Sequence, residues 1–219
     1  MIKIKKTEDG SHTVFVPELN EHYHSSFGAI RESMHVFVKA GLSCFNDAEE
    51  INILEMGFGT GLNALLTALN RRGQTISYHG IEAFPLEKDV LVSLNYPELL
   101  SDPLAGYVYN ELHQAKWEEP TPVSEGFTVE KTQSLFQEIQ LPDKYYHLVY
   151  FDAFAPDIQP ELWAEEIFAK IFHAMKPGGI LVTYSAKGLV KQNLRQAGFT
   201  VKRLPGPPGK KHMIRAEKR

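Results

Sequence analysis

Three carboxylates stand at places where a chain of this kind could do chemistry. Glu55 opens the stretch Glu-Met-Gly-Phe-Gly-Thr-Gly, in which Gly57, Gly59 and Gly61 take alternate positions. Glu82 ends a second apolar run, 21 residues beyond Gly61. Asp152 ends a later one and begins Asp-Ala-Phe-Ala-Pro, which supplies Phe154 and Pro156. Glycines between a strand and a helix let a ligand lie against bare backbone at the helix N-terminus. The spacing is not Gly-x-Gly-x-x-Gly, and an acid two residues ahead of the turn would repel a pyrophosphate while suiting an ammonium or hydroxyl group. An acid at the position of Glu82 is where a ribose diol is held. Asp152 can accept a hydrogen bond from an N–H and turn the nitrogen lone pair toward an electrophile, Phe154 can stack on a planar base, and Pro156 stiffens the loop. A ligand-free tight turn, a surface glutamate and a turn-capping aspartate are the plainer alternatives.

The elements that must position these groups alternate. Apolar residues Ile51, Ile53 and Leu54 predict a buried strand, and Leu62, Leu65, Leu66 and Leu69 predict the helix after the glycines. Further strands are predicted over residues 76–81, 127–131, 147–151, 180–184, 199–204 and 212–216. Helices are predicted over 85–94, 105–116, 160–175 and 186–197, the third stopped by Lys-Pro-Gly-Gly at 176–179. Strand–helix alternation on this scale predicts a doubly wound α/β domain over residues 49–219. Residues 1–48 read differently. Residues 2–5 and 11–16 predict a hairpin, and Ile30, Met34, Phe37 and Val38 keep a helical period, so this segment is expected as an extension over the ligand end of the sheet. Pro97, Pro103, Pro120 and Pro122 interrupt residues 95–126, where Trp117 is expected to fill a gap.

The composition narrows the classes. With 219 residues and 43% hydrophobic content, one large domain with an extension is expected. A single cysteine, Cys44, excludes a disulfide framework and points to a reducing, cytoplasmic setting. No apolar run approaches the roughly 20 residues needed to span a bilayer. His22 and His24 alternate but lack a third ligand nearby, so no metal is expected. Residues 187–219 hold ten Lys or Arg against one acid, Glu217, although the whole chain carries a net charge of −4. That asymmetry fits a polyanionic partner near the C-terminus, and equally a solvated tail.

Glu-x-Gly-x-Gly-x-Gly resembles the first motif of S-adenosylmethionine-dependent methyltransferases with a Rossmann-like fold. Asp-Ala-Phe-Ala-Pro-Asp-Ile-Gln-Pro-Glu-Leu-Trp, residues 152–163, resembles a segment of the MnmC family of tRNA wobble-uridine enzymes. Residues 24–37, 55–63 and 206–213 extend the resemblance over essentially the whole chain, which looks most like the stand-alone methyltransferase form. The resemblance implies a class I methyltransferase fold with a seven-stranded, mostly parallel sheet and an antiparallel last strand. It implies S-adenosylmethionine held by Glu55, Gly57, Gly59, Gly61, Asn63, Glu82 and Asp152, with Gln133 and Ser134 near the adenine and Tyr23, Ser25 and Glu32 closing over it. Asp152 and Phe154 would carry catalysis, and Phe154, Pro156, Lys210, Lys211 and Arg215 would hold tRNA. The implied reaction is methylation of the aminomethyl group on a wobble uridine. The flavin-dependent oxidase of bifunctional relatives has no counterpart motif here, so a separate enzyme is expected to make the aminomethyl intermediate.

Two departures stand out. Gln133 and Ser134 replace an acid that the family often places there, and Lys-Lys-His-Met replaces the more usual Lys-Arg-Glu-Met. Two rival readings remain: a small-molecule amine transferase of similar fold, such as an aminopropyltransferase, whose pocket should hold several acids, and a non-catalytic cofactor-binding scaffold.

Overall fold

The computed structural model describes residues 2–219. A three-stranded antiparallel sheet comes first: β1 (Lys3–Lys6), β2 (His12–Val16) and the short β3 (Glu21–His22). It leads into α1 (Ala29–Ser33), which runs on as a π-helical turn over Met34–Lys39 and a 3₁₀ turn over Leu42–Phe45. The main domain follows as β4 (Glu50–Met56), α2 (Leu62–Asn70), β5 (Thr75–Glu82), α3 (Lys88–Val92), α4 (Tyr96–Leu99), α5 (Ala105–Gln114), β6 (Thr121–Ser124), β7 (Phe127–Gln133) and β8 (Tyr146–Phe151). A 3₁₀ turn (Pro160–Trp163), α6 (Glu165–Ala174), β9 (Met175–Thr183), α7 (Gly188–Gln196), β10 (Thr200–Pro205) and β11 (His212–Glu217) complete it.

The large sheet has the order β10-β11-β9-β8-β4-β5-β7-β6. Strands β9, β8, β4, β5 and β7 are parallel, and β11 pairs antiparallel with β9 and β10. The α/β class, the mostly parallel sheet and the antiparallel last strand agree with expectation. The strand count is eight, not seven, because β6 adds an antiparallel edge to β7. Pro122 and a register shift between Pro122 and Ser124 mark β6 as an edge strand, and they hide it from periodicity. The helix expected over 160–175 also divides: Ala164 leaves helical geometry at ψ 158 between the 3₁₀ turn and α6.

Alternation along the central strands feeds two cores, one on each face. Ile51, Ile53, Tyr78, Leu148 and Tyr150 face α2, α5 and the N-terminal segment. Leu54, Met56, Val149 and Phe151 face α6 and α7. Burial on both faces explains why these strands read as continuous apolar runs. Glu55 shares the α2 face with Ile53, so a carboxylate enters the interior directly under the glycine turn.

Candidate active site

The carboxyl ends of β4, β5 and β8 and the extension enclose a cleft of about 920 Å³. The turn after β4 is shaped by close approach. Gly57 has φ +86, and a Cβ there would lie 2.5 Å from the Asp152 carbonyl oxygen. Gly59 has φ +49, and its Cβ would stand 3.0 Å from the Tyr23 ring, which covers the turn. An L side chain at either position would be strained and would push the covering groups aside.

Glu82 is tied to the same turn. Its Oε2 accepts from the Gly59 N–H at 2.9 Å and its Oε1 from the Phe84 N–H at 3.0 Å. Each oxygen keeps a lone pair for a further donor. Behind the turn, Asn63 near the start of α2 donates through Nδ2 to Glu55 Oε1 and to Asp152 Oδ2, both at 2.8 Å. One amide therefore bridges the acid under the glycine turn and the acid of the Asp-Ala-Phe-Ala-Pro loop. Asn63 Oδ1 is buried with no hydrogen-bond partner. Burial drives the Glu55 carboxyl well above its ordinary range, although the Asn63 hydrogen bond lowers it. Burial, followed by the charge of Glu32, also pushes Asp152 up to about 7, against the opposing effects of Asn63 and Lys210.

The Asp152 loop is braced on both sides. The Trp163 indole N–H donates to the Phe154 carbonyl at 2.9 Å, and the Tyr184 hydroxyl donates to the Ala153 carbonyl at 2.9 Å. The Phe154 ring meets Tyr23 edge to face at 5.1 Å. Across the cleft, Glu32 pairs with Lys210, whose ammonium also lies 4.1 Å from the centre of the Tyr184 ring.

Of the residues singled out in the sequence, Tyr23, Ser25, Glu32, Gly57, Gly59, Asn63, Glu82, Ser134, Asp152, Phe154 and Lys210 line this cleft. Glu55 lies beneath it, and Gly61 packs on His113. The others sit elsewhere. The Gln133 backbone N–H is held by Glu118 outside the cleft, and Leu135 and Phe136 follow Ser134 into it. Pro156 is buried behind the loop, and Lys211 is exposed outside the lining. Arg215 reaches Cys44 Sγ at 3.2 Å, outside the cleft lining. Lys210 does not present its charge to solvent as a tRNA-binding lysine would, because Glu32 and Tyr184 hold it. Tyr184 escaped the sequence reading, although its place one residue past β9, on the edge used by Glu82 and Asp152, is the signal for it. His22 and His24 also line the cleft but meet different partners: His22 packs tilted on Phe15 at 4.7 Å, while His24 is buried against Tyr96. Among the described residues, no group of three or more His, Cys, Asp or Glu could hold a metal.

A nucleoside sulfonium with an amino-acid tail needs bare backbone, an acceptor pair for a diol and acceptors for an ammonium group. The glycine turn, the remaining lone pairs of Glu82 and the unpartnered Asn63 Oδ1 meet those needs. The residues present fit S-adenosylmethionine.

Comparison with known proteins agrees. A family model described as S-adenosyl-L-methionine-dependent methyltransferase matches residues 124–219. The chain is 28% identical over 218 residues to a tRNA 5-methylaminomethyl-2-thiouridine biosynthesis bifunctional protein MnmC from Delftia acidovorans, covering 93% of this chain and 33% of that protein. It is 30% identical over 214 residues to the MnmC protein of Cupriavidus necator, covering 91% and 32%. The chain thus spans about one third of the length of these relatives. Among solved structures, MnmC2 from Aquifex aeolicus superposes with a TM-score of 0.82 at 25% identity, over 100% of this chain and 71% of that one. Spermidine synthase from Thermotoga maritima, at 13% identity and a TM-score of 0.61, shares the fold over 99% of this chain and 68% of its own. In sequence and in structure the chain is MnmC-like, with the fold of the S-adenosyl-L-methionine-dependent methyltransferases.

Proposed function

We propose that the chain methylates the exocyclic amine of an aminomethyl group on a wobble uridine of tRNA, using S-adenosylmethionine. The observation that carries the reading is the Glu55–Asn63–Asp152 bridge, which joins the cofactor turn to the acceptor loop through two 2.8 Å hydrogen bonds. When bound, the cofactor supplies an electrophilic methyl on a sulfonium. The protein's part is placement, since the acceptor nitrogen must sit about 3 Å from that carbon with its lone pair in line. Asp152 accepts a hydrogen bond from the amine N–H and so fixes the direction of the lone pair. With its carboxyl pushed up to about 7, it can also take the proton that the nitrogen must lose. Phe154 and Tyr23 give the uracil ring an aromatic wall and keep water from the amine.

The cleft lining supports an amine acceptor. Glu21, Glu32, Glu82, Glu87, Asp152 and Glu161 all line it, against one lysine, Lys210. An acid-rich pocket also suits a free polyamine, as the aminopropyltransferase reading requires. The surface beside the pocket favours tRNA: residues 187–212 carry seven Lys or Arg and no acid. Desolvation, then the charges of Arg203, Lys211 and Lys191, hold the His212 imidazole below its ordinary value. We assign the phosphate contacts to this face of α7, β10 and the β10–β11 loop, in place of Lys210 and Arg215. In this reading residues 1–48 cover the cofactor and residues 49–219 form the catalytic domain. The setting is cytoplasmic, with a separate enzyme supplying the aminomethyl intermediate.

The test is nucleoside mass spectrometry of tRNA carrying aminomethyl-uridine after incubation with protein and S-adenosylmethionine. Methylaminomethyl-uridine is the expected product. Methylation of spermidine or putrescine but not of this tRNA would overturn the substrate assignment.

A further inference from the structure

Lys210 occupies an unusual position for a residue of the acceptor pocket. Its ammonium sits over the Tyr184 ring at 4.1 Å from the centroid and pairs with Glu32, whose side chain is only 8% exposed. The other oxygen of Glu32 accepts from the Ser25 N–H at 3.2 Å, so the carboxylate cannot swing away freely. Tyr184 is fixed by its bond to the Ala153 carbonyl, next to the acceptor aspartate. Asp152, Glu32 and Glu21 all face Tyr184 electrostatically, and His24, held neutral by burial with a value of about 4, adds no competing charge. An aromatic face with carboxylates around it is the chemistry that selects an alkylammonium.

The loop that carries Lys210 is anchored independently. Phe27 packs on Gly209 so closely that a Cβ at Gly209 would lie 2.1 Å from the Phe27 ring, and His35 Nε2 lies 2.9 Å from the Pro205 carbonyl oxygen. The lysine side chain can therefore leave while the loop stays. Once displaced, it would stand beside Lys211 on the rim, where phosphate is expected.

We propose that Glu32 and Tyr184 form an ammonium box that receives the acceptor's protonated alkylamine before its proton passes to Asp152 and frees the lone pair, and that Lys210 is a built-in surrogate which the substrate amine displaces. Naming the acceptor as the occupant rests on the amine-methylation reading; the existence of the box does not. The lysine acts as a tethered competitor, present at an effective concentration in the millimolar range, so it masks the box from loose cations and yields only to an amine delivered with other contacts.

The probe is methylammonium, titrated by NMR into full-length wild-type protein, Lys210→Met and the double variant Lys210→Met/Glu32→Gln. Removing the surrogate should lower the dissociation constant at least tenfold, and the added Glu32→Gln should abolish that gain. Equal affinity in wild type and Lys210→Met, or a gain that survives Glu32→Gln, would overturn the proposal. Should Lys210→Met fold poorly, acetylation of Lys210 can be followed by peptide mass spectrometry. It should be slow in wild type and several-fold faster in Glu32→Gln, and equal rates would count against the box. None of these readouts needs turnover, so an inactive protein with a working box would refute the reaction and leave the box standing.

Discussion

Asp152→Asn in the ligand-free protein should alter how stability depends on pH, and the sign can be worked from the site. The carboxyl moves from 3.8 to about 7 because burial and the neighbouring Glu32 charge disfavour its ionised form. Raising the carboxyl from 3.8 to about 7 corresponds to roughly 4 kcal/mol as an upper bound. Asp152 is partly exposed to the cleft, and solvent screening leaves about half of that. Well below pH 3.8 the group is neutral in folded and unfolded chains alike. As pH rises toward 7 the unfolded chain gives up its proton readily while the folded chain holds it, so stability falls through that window. Asparagine keeps an acceptor for Asn63 and has no charge to bury. The melting temperature of the variant relative to wild type should therefore climb between pH 4.5 and 8, by about 4–8 °C for a chain of this size. Thermal unfolding followed by circular dichroism at several pH values measures it. Parallel curves for the two proteins would show that Asp152 ionises without hindrance and that the derivation is wrong.

The same carboxyl should govern activity in the opposite sense: kcat/KM on aminomethyl tRNA should rise with pH through about 7 in wild type, and Asp152→Asn should lose that limb along with most of the rate. Glu82→Ala should weaken S-adenosylmethionine binding by about 1–3 kcal/mol, read by calorimetry, since it removes a charged acceptor pair; unchanged affinity would place the ribose elsewhere. Gly57→Ala should destabilise the protein by about 1–3 kcal/mol, because it strains the left-handed turn and drives a methyl into the Asp152 carbonyl; denaturant titration decides. Reversing Lys191 and Arg203 to glutamate should flatten the salt dependence of tRNA binding and spare cofactor affinity, whereas an unaltered slope would move the tRNA to another face.

What could be read from the sequence followed from how directly a residue's place is set by its own strand. Glu82 and Asp152 end apolar strands, so strand polarity alone sends them to the carboxyl edge of the sheet. Gly57 and Gly59 declare a turn that no side chain could enter. Lys210 and Arg215 were harder, because a count of charges carries no direction. One turned inward to Glu32 and the other to Cys44, and both choices depend on segments some 170 residues away in the chain. Tyr184 was obscured because it looks like one more β-strand aromatic. Lys131 could not have been foreseen at all: its ammonium is buried under the turn, stacked on Trp117 at 5.1 Å and bonded to the Leu112 carbonyl, which composition would count as surface charge.

The contact of Gly57 with the Asp152 backbone has a consequence for how such a protein can change. The Asp152 N–H donates to the Met56 carbonyl at 3.0 Å, and the Asp152 carbonyl blocks any side chain at Gly57. With Asn63 clamping both acids from below, the glycine turn and the Asp152 loop are tied together across the β4–β8 seam. Retuning one ligand by substitutions on either loop would displace the other by a comparable distance, and methyl transfer tolerates little displacement. New acceptor specificity is therefore far more accessible through the extension and the β10–β11 loop. Those segments meet the cleft from outside the seam and can vary without moving the reacting atoms.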